Sequence, residues 1–147
     1  MASILYQSGI QNILNRTIDY LSGTIKCLLS RDTYTPDQDH DFVSDVTEIA
    51  AVTNYATGFA GSGRVTLGSK AISIDDANNR VRLAAADAVY GALGTGTTIG
   101  GYVVYWHNTS DADSRLISCR ELAADVPTNG AQITAELATL DVARINC

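Results

Sequence analysis

The sequence predicts a mainly β protein: a single-domain antiparallel β-sandwich or barrel-like fold with an N-terminal helix and a short helix in an acidic loop. Residues 99–107, Ile-Gly-Gly-Tyr-Val-Val-Tyr-Trp-His, are the densest run of β-branched and aromatic side chains and hold the single tryptophan. That is the length and composition of a strand buried on both faces. Other short apolar runs recur along the chain with turn-forming residues between them, the spacing of a sandwich or barrel. Only residues 8–21 break the pattern, with apolar positions at three- and four-residue steps. A chain of 147 residues fits one domain, here 1–147, with an N-terminal arm and helix over 1–23 and a β-rich body over 24–147.

In chain order, Ile10, Ile13, Leu14, Ile18 and Leu21 gather on one helix face, Ser8 with Gln11 reads as a capping box, and Ser22-Gly23 supplies the stop. In residues 24–30, Ile25, Cys27 and Leu29 alternate as on the inner face of a strand. Residues 31–47 are polar. Thr35-Pro36 ahead of Asp37, Asp39 and Asp41 is a helix-start signature, and Phe42, Val43 and Val46 would anchor that short helix. Residues 54–63, rich in Gly, Ala and Thr, read as a flexible loop. Residues 64–74 and 81–85 flank Asp75-Asp76-Ala77-Asn78-Asn79 as a hairpin, with Ile72 and Ile74 facing inward beside Val81 and Leu83. Residues 87–93 form a short strand or turn, and the Gly/Thr-rich link 94–98 leads into the central strand.

Residues 115–122 follow that strand after a polar turn and pair with it as a second hairpin. The favoured register sets Val104 across from Ile117, Tyr102 across from Cys119 and Trp106 over Arg115, where guanidinium and indole can stack. The alternative sets Val104 against Ser118. Pro127-Thr128-Asn129-Gly130 is a turn, residues 132–137 place Ile133, Ala135 and Leu137 on one side, and residues 140–147 can add a closing strand.

Net charge is −6 and no Lys/Arg cluster offsets it, which argues against a nucleic-acid partner. With 46% apolar and 18% charged residues, the chain is globular and greasy enough to predict buried subunit contacts, hence a homo-oligomer. Cys27, Cys119 and Cys147 are odd in number and far apart, which suggests neither a disulfide framework nor a zinc site, and fits assembly in a reducing cytoplasm. No signal peptide and no membrane span is expected, so Asn15-Arg16-Thr17 and Asn108-Thr109-Ser110 are not read as glycan acceptors.

Asp37, Asp39, Asp41, Asp45 and Glu48 fall at positions 1, 3, 5, 9 and 12 of an EF-hand-like calcium loop. Phe42 stands where that loop needs glycine, and capping and solubility account for the same carboxylates, so no cofactor is expected and calcium is the one ion the pattern admits. Gly63 and Gly68 have P-loop spacing, but Ser69 and Lys70 come in the wrong order and Val65, Thr66 and Leu67 read as strand. Gly94-Thr95-Gly96 precedes a strand instead of following one, which removes the dinucleotide fingerprint. His40 and His107 are the two histidines. His107 could reach Ser114 across its hairpin with Asp111 or Asp113 nearby, yet no nucleophile elbow is present.

Several segments together resemble a family of small virion proteins of tailed bacteriophages. They are Ile-Lys-Cys-Leu-Leu, then Tyr-Thr-Pro-Asp-Gln-Asp-His-Asp-Phe and Asp-Val-Thr within 24–47, Asp75-Asp76-Ala77 before Asn79-Arg80-Val81, Ala86-Asp87-Ala88-Val89-Tyr90, the Gly-Tyr-Val-Val-Tyr strand, and Leu116-Ile117-Ser118. The Ala-rich tail, 137–147, departs from the family, where an aromatic strand is more usual. The resemblance implies a structural role in the particle without enzyme activity. The expectation is a capsid decoration or cement protein, made in the host cytoplasm, that sits on the outside of the head and contacts the major capsid protein and copies of itself. A tail or head-tail connector component and a glycan-binding module are the alternatives. The contact residues expected are Leu5, Tyr6, Ile10, Ile13 and Leu14, because terminal segments readily dock on neighbours.

Overall fold

A computed structural model describes residues 3–146. Cys147, at the end of the expected closing strand, and residues 1 and 2 of the N-terminal arm lie outside the described residues. At the centre is β7 (Thr98–Trp106), flanked by β2 (Ile25–Arg31) and β8 (Leu116–Pro127). With β1 (Ser3–Leu5) and β3 (Val65–Thr66) at the edges, these make a five-stranded sheet in the order β1-β8-β7-β2-β3. Its neighbours shown by the pairings are antiparallel throughout. Two smaller sheets complete the architecture. β4 (Ala71–Asp75), β5 (Arg80–Ala84) and β10 (Ala143–Asn146) form one in the order β10-β5-β4, and β6 (Ala88–Tyr90) pairs with β9 (Ile133–Ala135) to form the other. The sheets stack as in a sandwich and close no barrel.

The reason for the layering lies in β7 itself. Side chains alternate across a strand, and on β7 both sets are apolar. Tyr102 and Val104 join Ile25, Cys27 and Leu29 of β2 in a large core that extends to Leu83, Ala88, Ala135 and Ala143 of the small sheets. Val103 and Tyr105 point the other way, into a smaller core with Leu28, Leu116 and Cys119, roofed by Tyr6, Tyr34 and Val43. The small sheets therefore cover one face, and the irregular segment after β2 covers the other. Full burial of each large side chain is worth roughly 1.5–3 kcal/mol, so neither face can be left to water.

The central hairpin forms, but its register corrects the favoured reading. Near the turn Tyr105 faces Leu116 and Trp106 N–H donates to Arg115 O at 2.8 Å, which is the expected alignment. A bulge then inserts one residue into β8, so that beyond it Val104 faces Ser118, Val103 faces Cys119 and Tyr102 faces Arg120. Because the extra residue is Ile117, it still turns into the large core and is fully buried. A strand apolar on both faces gives no penalty for the slip, so patterning could not choose between the registers. Arg115 stacks on Phe42, 4.1 Å from guanidinium carbon to ring centre, and not on Trp106.

Helix α1 covers only Gln7–Leu14. Its N-cap is Tyr6, without a side-chain cap, so the Ser8–Gln11 capping box is not made. Arg16 takes a left-handed conformation (φ 61°) that ends the helix, and Ile18 is then buried by the loop while Leu21 is 52% exposed. The acidic-loop helix reduces to one 3-10 turn, Val43–Asp45, in which Asp45 accepts from the backbone N–H of Asp41 and Phe42. The expected hairpin forms as β4–β5, with Ile72 paired to Leu83 and Ile74 to Val81. Leu83 is buried, but Ile72 and Ile74 overhang the core and are exposed. The closing strand is present as β10, beside β5, and a one-turn helix α2 (Leu137–Leu140) precedes it.

Gly9 sets how closely α1 approaches β8: a Cβ there would lie 1.8 Å from Leu116 O, a backbone atom that cannot swing aside. A Cβ on Gly68 meets nothing within 4 Å. Gly9→Ala is expected to lower stability by about 1–3 kcal/mol, as overpacking does, and Gly68→Ala by less than about 0.5 kcal/mol. Urea midpoints of the two variants measure the difference.

Candidate functional site

Several of the polar side chains that could carry chemistry are drawn into internal bonds, whereas His107 Nδ1 is buried without a hydrogen-bond partner among the described residues. Arg64, in the loop leading to β3, has its side chain only 2% exposed. Its Nε and Nη2 donate to the two Glu48 oxygens at 3.0 and 2.7 Å, and its Nη1 and Nη2 donate to the two Asp111 oxygens at 2.5 and 3.0 Å. Nη1 also reaches the Tyr105 hydroxyl at 3.4 Å. A planar guanidinium can serve two carboxylates with two bonds each, which an ammonium cannot. Although burial opposes the charge, the bonds from Glu48 and Asp111 raise the Arg64 pKa, so the cation is fixed. Glu48 accepts in addition from the Tyr55 hydroxyl at 2.7 Å and from Gly58 N–H at 3.0 Å. Three irregular stretches, around 48, 55–64 and 108–114, are thereby tied to β7. The loop expected to be flexible is pinned at Tyr55, whose hydroxyl also receives Leu29 N–H.

Four of the five carboxylates of the calcium pattern have separate partners. Asp37 accepts from Asp39 N–H, Asp41 lies 3.7 Å from Arg115, Asp45 closes its own turn, and Glu48 holds Arg64. Among the described residues no cluster of three or more His, Cys, Asp or Glu side chains is placed to hold a metal ion. EF-hand spacing needs the sharp turn that Phe42 cannot make, and the chain runs on extended there instead.

Nor do the histidines form a nucleophile pair. Ser114 is fully buried, donates to Ser110 O at 2.7 Å and receives Asn108 N–H at 3.1 Å, which spends its hydroxyl on the turn. His107 stacks on Phe59 at 4.5 Å, with Tyr105 edge-on at 6.1 Å. Burial first, then the cations Lys26 and Arg64, hold its imidazole below the ordinary value. His40 Nδ1 lies 3.0 Å from the Tyr34 hydroxyl, which lies 2.9 Å from that of Tyr6, so this histidine ends a chain of hydrogen bonds into the smaller core. Burial pushes the Cys27 and Cys119 thiols up to about 12, and neither is a thiolate at neutral pH. Gly63 packs against the Tyr55 ring, leaving no cradle for phosphate.

Of the five expected contact residues, Tyr6 is fully buried and serves the chain's own core, and Leu5, Ile10 and Ile13 are half-buried against the large core. Leu14 is 71% exposed. The sequence periodicity could not distinguish it from Ile13, since both lie on the apolar stripe. Exposed apolar side chains missed by the sequence reading are Ile74 (75%), Val89, Leu21 and Ile72, the last two lining, with Ile13, Arg16, Ile18, Asp19 and Tyr20, a depression of about 480 Å³. Exposed apolar side chains gathered in this way mark an interaction surface more often than an isolated leucine does. No helix among the described residues is long and apolar enough to cross a membrane. No family model, curated protein or solved structure matches the chain.

A second buried ionic centre went unseen in the sequence. Asp141, 1% exposed and in the left-handed region (φ 65°), accepts from Arg82 at 2.9 and 2.6 Å and from Arg144 at 2.8 Å. Burial pushes its carboxyl up, but the two guanidinium groups more than offset this and hold it below the usual range. A carboxylate depressed in the folded state contributes stability above its unfolded pKa, near 4, and loses it as pH falls through the folded value. Asp141→Asn is therefore expected to destabilise at pH 7 and to flatten the acid limb of a stability-against-pH curve.

Removing Arg64 leaves two carboxylates without their cation. Because Asp111 is 30% exposed and Glu48 11%, Arg64→Leu is expected to cost about 3 kcal/mol, the low end for a broken buried pair. The triple replacement Glu48→Gln, Arg64→Leu, Asp111→Asn should recover part of that loss. Denaturant titrations of both variants check it.

Proposed function

We propose that this chain is a structural component of a tailed-phage virion, a decoration protein that binds the outside of the head and bridges major capsid subunits, with no catalytic role. The segments that resemble those of small phage virion proteins support this reading. What the geometry contributes is the apolar surface at Leu14, Leu21, Ile72 and Ile74 on a chain of net charge −6, and it is this observation that carries the proposal. The acidic balance suits a face turned to solvent instead of packaged DNA. The polar residues that would otherwise suggest catalysis are engaged in holding loops.

The mechanism is burial of apolar surface across neighbouring capsomers. Each leucine or isoleucine covered contributes roughly 1.5–3 kcal/mol. Several copies acting together make expansion of a DNA-filled shell break many contacts at once. The end of α1, at Leu14, replaces Tyr6 as the contact the N-terminal segment offers.

Gold-labelled antibody on intact particles of the phage that encodes the chain is expected to mark the head. Purified protein is expected to raise the rupture temperature of heads that lack it. Leu14→Asp should weaken head binding roughly tenfold or more, the equivalent of about 1.4 kcal/mol. Label confined to the tail would replace this reading with a connector or tail role, and particles without label would end the virion assignment.

A further inference from the structure

β4 is the outer strand of the three-stranded sheet, and among the described residues no strand pairs with its free edge. Edge strands are usually protected by a proline, a bulge or an inward charge. Here the β4–β5 register runs without a bulge or proline, and the strand's one charge, Asp75 at its end, is paired with Arg80 of β5 at 2.7 Å. Ile72 is 47% and Ile74 75% exposed, on the same face of the strand two residues apart.

Residues 71–75 say what can occupy that edge. Ala-Ile-Ser-Ile-Asp places its two isoleucines symmetrically about Ser73. In an antiparallel pairing on a two-fold axis through Ser73, each Ile72 faces Ile74 of the second copy, and each Ala71 faces Asp75. Two-fold symmetry across a sheet restricts the register to steps of two, since facing residues must point to one side. Centring on Ile72 or on Ile74 would keep one isoleucine pair and carry the other isoleucine past the end of the strand. Only the register on Ser73 pairs both isoleucines along the whole strand. Ile72 also lines the depression shared with Ile13 and Leu21, which widens the apolar contact beside the strand.

We propose that the free edge of β4 pairs antiparallel with β4 of a second copy of this chain, in register on Ser73, joining two three-stranded sheets into one of six strands. A five-residue ladder is small beside the roughly 1,200–2,000 Å² of a standard stable interface. The free dimer is therefore weak, with a dissociation constant of about 1–100 µM. The pairing is independent of the virion reading and stands or falls without it.

Sedimentation velocity of the full chain, from about 1 µM to about 1 mM, is expected to show a monomer–dimer equilibrium in that range. Ile74→Lys, at an exposed position, is expected to keep the melting temperature and weaken the dimer roughly tenfold or more. In a Cys147→Ser background, Ser73→Cys is expected to give a covalent dimer on mild oxidation, because directly paired strand positions lie within disulfide reach. A monomer throughout the range overturns the proposal, as does a dimer that Ile74→Lys leaves intact or that Ser73→Cys fails to cross-link. A chain monomeric alone, whose binding to phage heads is abolished by Ile74→Lys, would assign the edge to a capsid partner and overturn it too.

Discussion

A strand with no side turned to water dictates most of this structure. β7 buries Tyr102 and Val104 on one face and Val103 and Tyr105 on the other, and every other element can be understood as cover for one of them. The small sheets, brought in by Leu83, Ala88, Ala135 and Ala143, close the first face. The second is closed by less regular means: Tyr6 at the start of α1, Tyr34 from the segment after β2, and Val43 from a single 3-10 turn. Irregular cover over a buried face brings polar backbone and hydroxyl groups inward, and these need partners. The Tyr6–Tyr34–His40 chain meets part of that need.

Buried ion clusters fix the irregular parts where hydrophobic contact alone would not. Arg64 draws Glu48 and Asp111 from distant loops onto one guanidinium, and Asp141 draws Arg82 and Arg144 from two strands of the small sheet. Such groups contribute little net stability over a well-packed apolar replacement, yet breaking one is costly. Their effect is to define where each loop lies. Both clusters spend buried charge on architecture, while apolar side chains at Leu14, Leu21, Ile72 and Ile74 remain outside.

Local pattern was legible where one physical preference dominated. The central strand, the alternation of Ile25, Cys27 and Leu29, the hairpin about residues 75–79 and the strand after Gly130 all follow from residues whose neighbours agree with them. The helix from Ser8 was read too long because periodicity continues through Ile18 and Leu21, whereas Arg16 turns the chain aside and Ile18 finds burial without a helix. The five carboxylates in the loop fit a calcium template by spacing alone. Spacing carries no information about Arg64 or Arg115, far off in sequence, which take two of them. Short-range signals could not have found the Arg64 cluster or the Arg82–Asp141 pair, whose members are 16 to 59 residues apart; only Arg144 lies near its partner, three residues after Asp141.

By itself the sequence determined that this is a β-rich protein organised on one doubly apolar strand, because alternation and side-chain bulk are properties of neighbouring residues. Tertiary structure alone decided the register beyond Ile117, the fate of each carboxylate, and which apolar side chains stay outside. Those outcomes depend on bulges and on partners distant along the chain, where a shift of one residue or one loop exchanges core for surface without altering the local pattern.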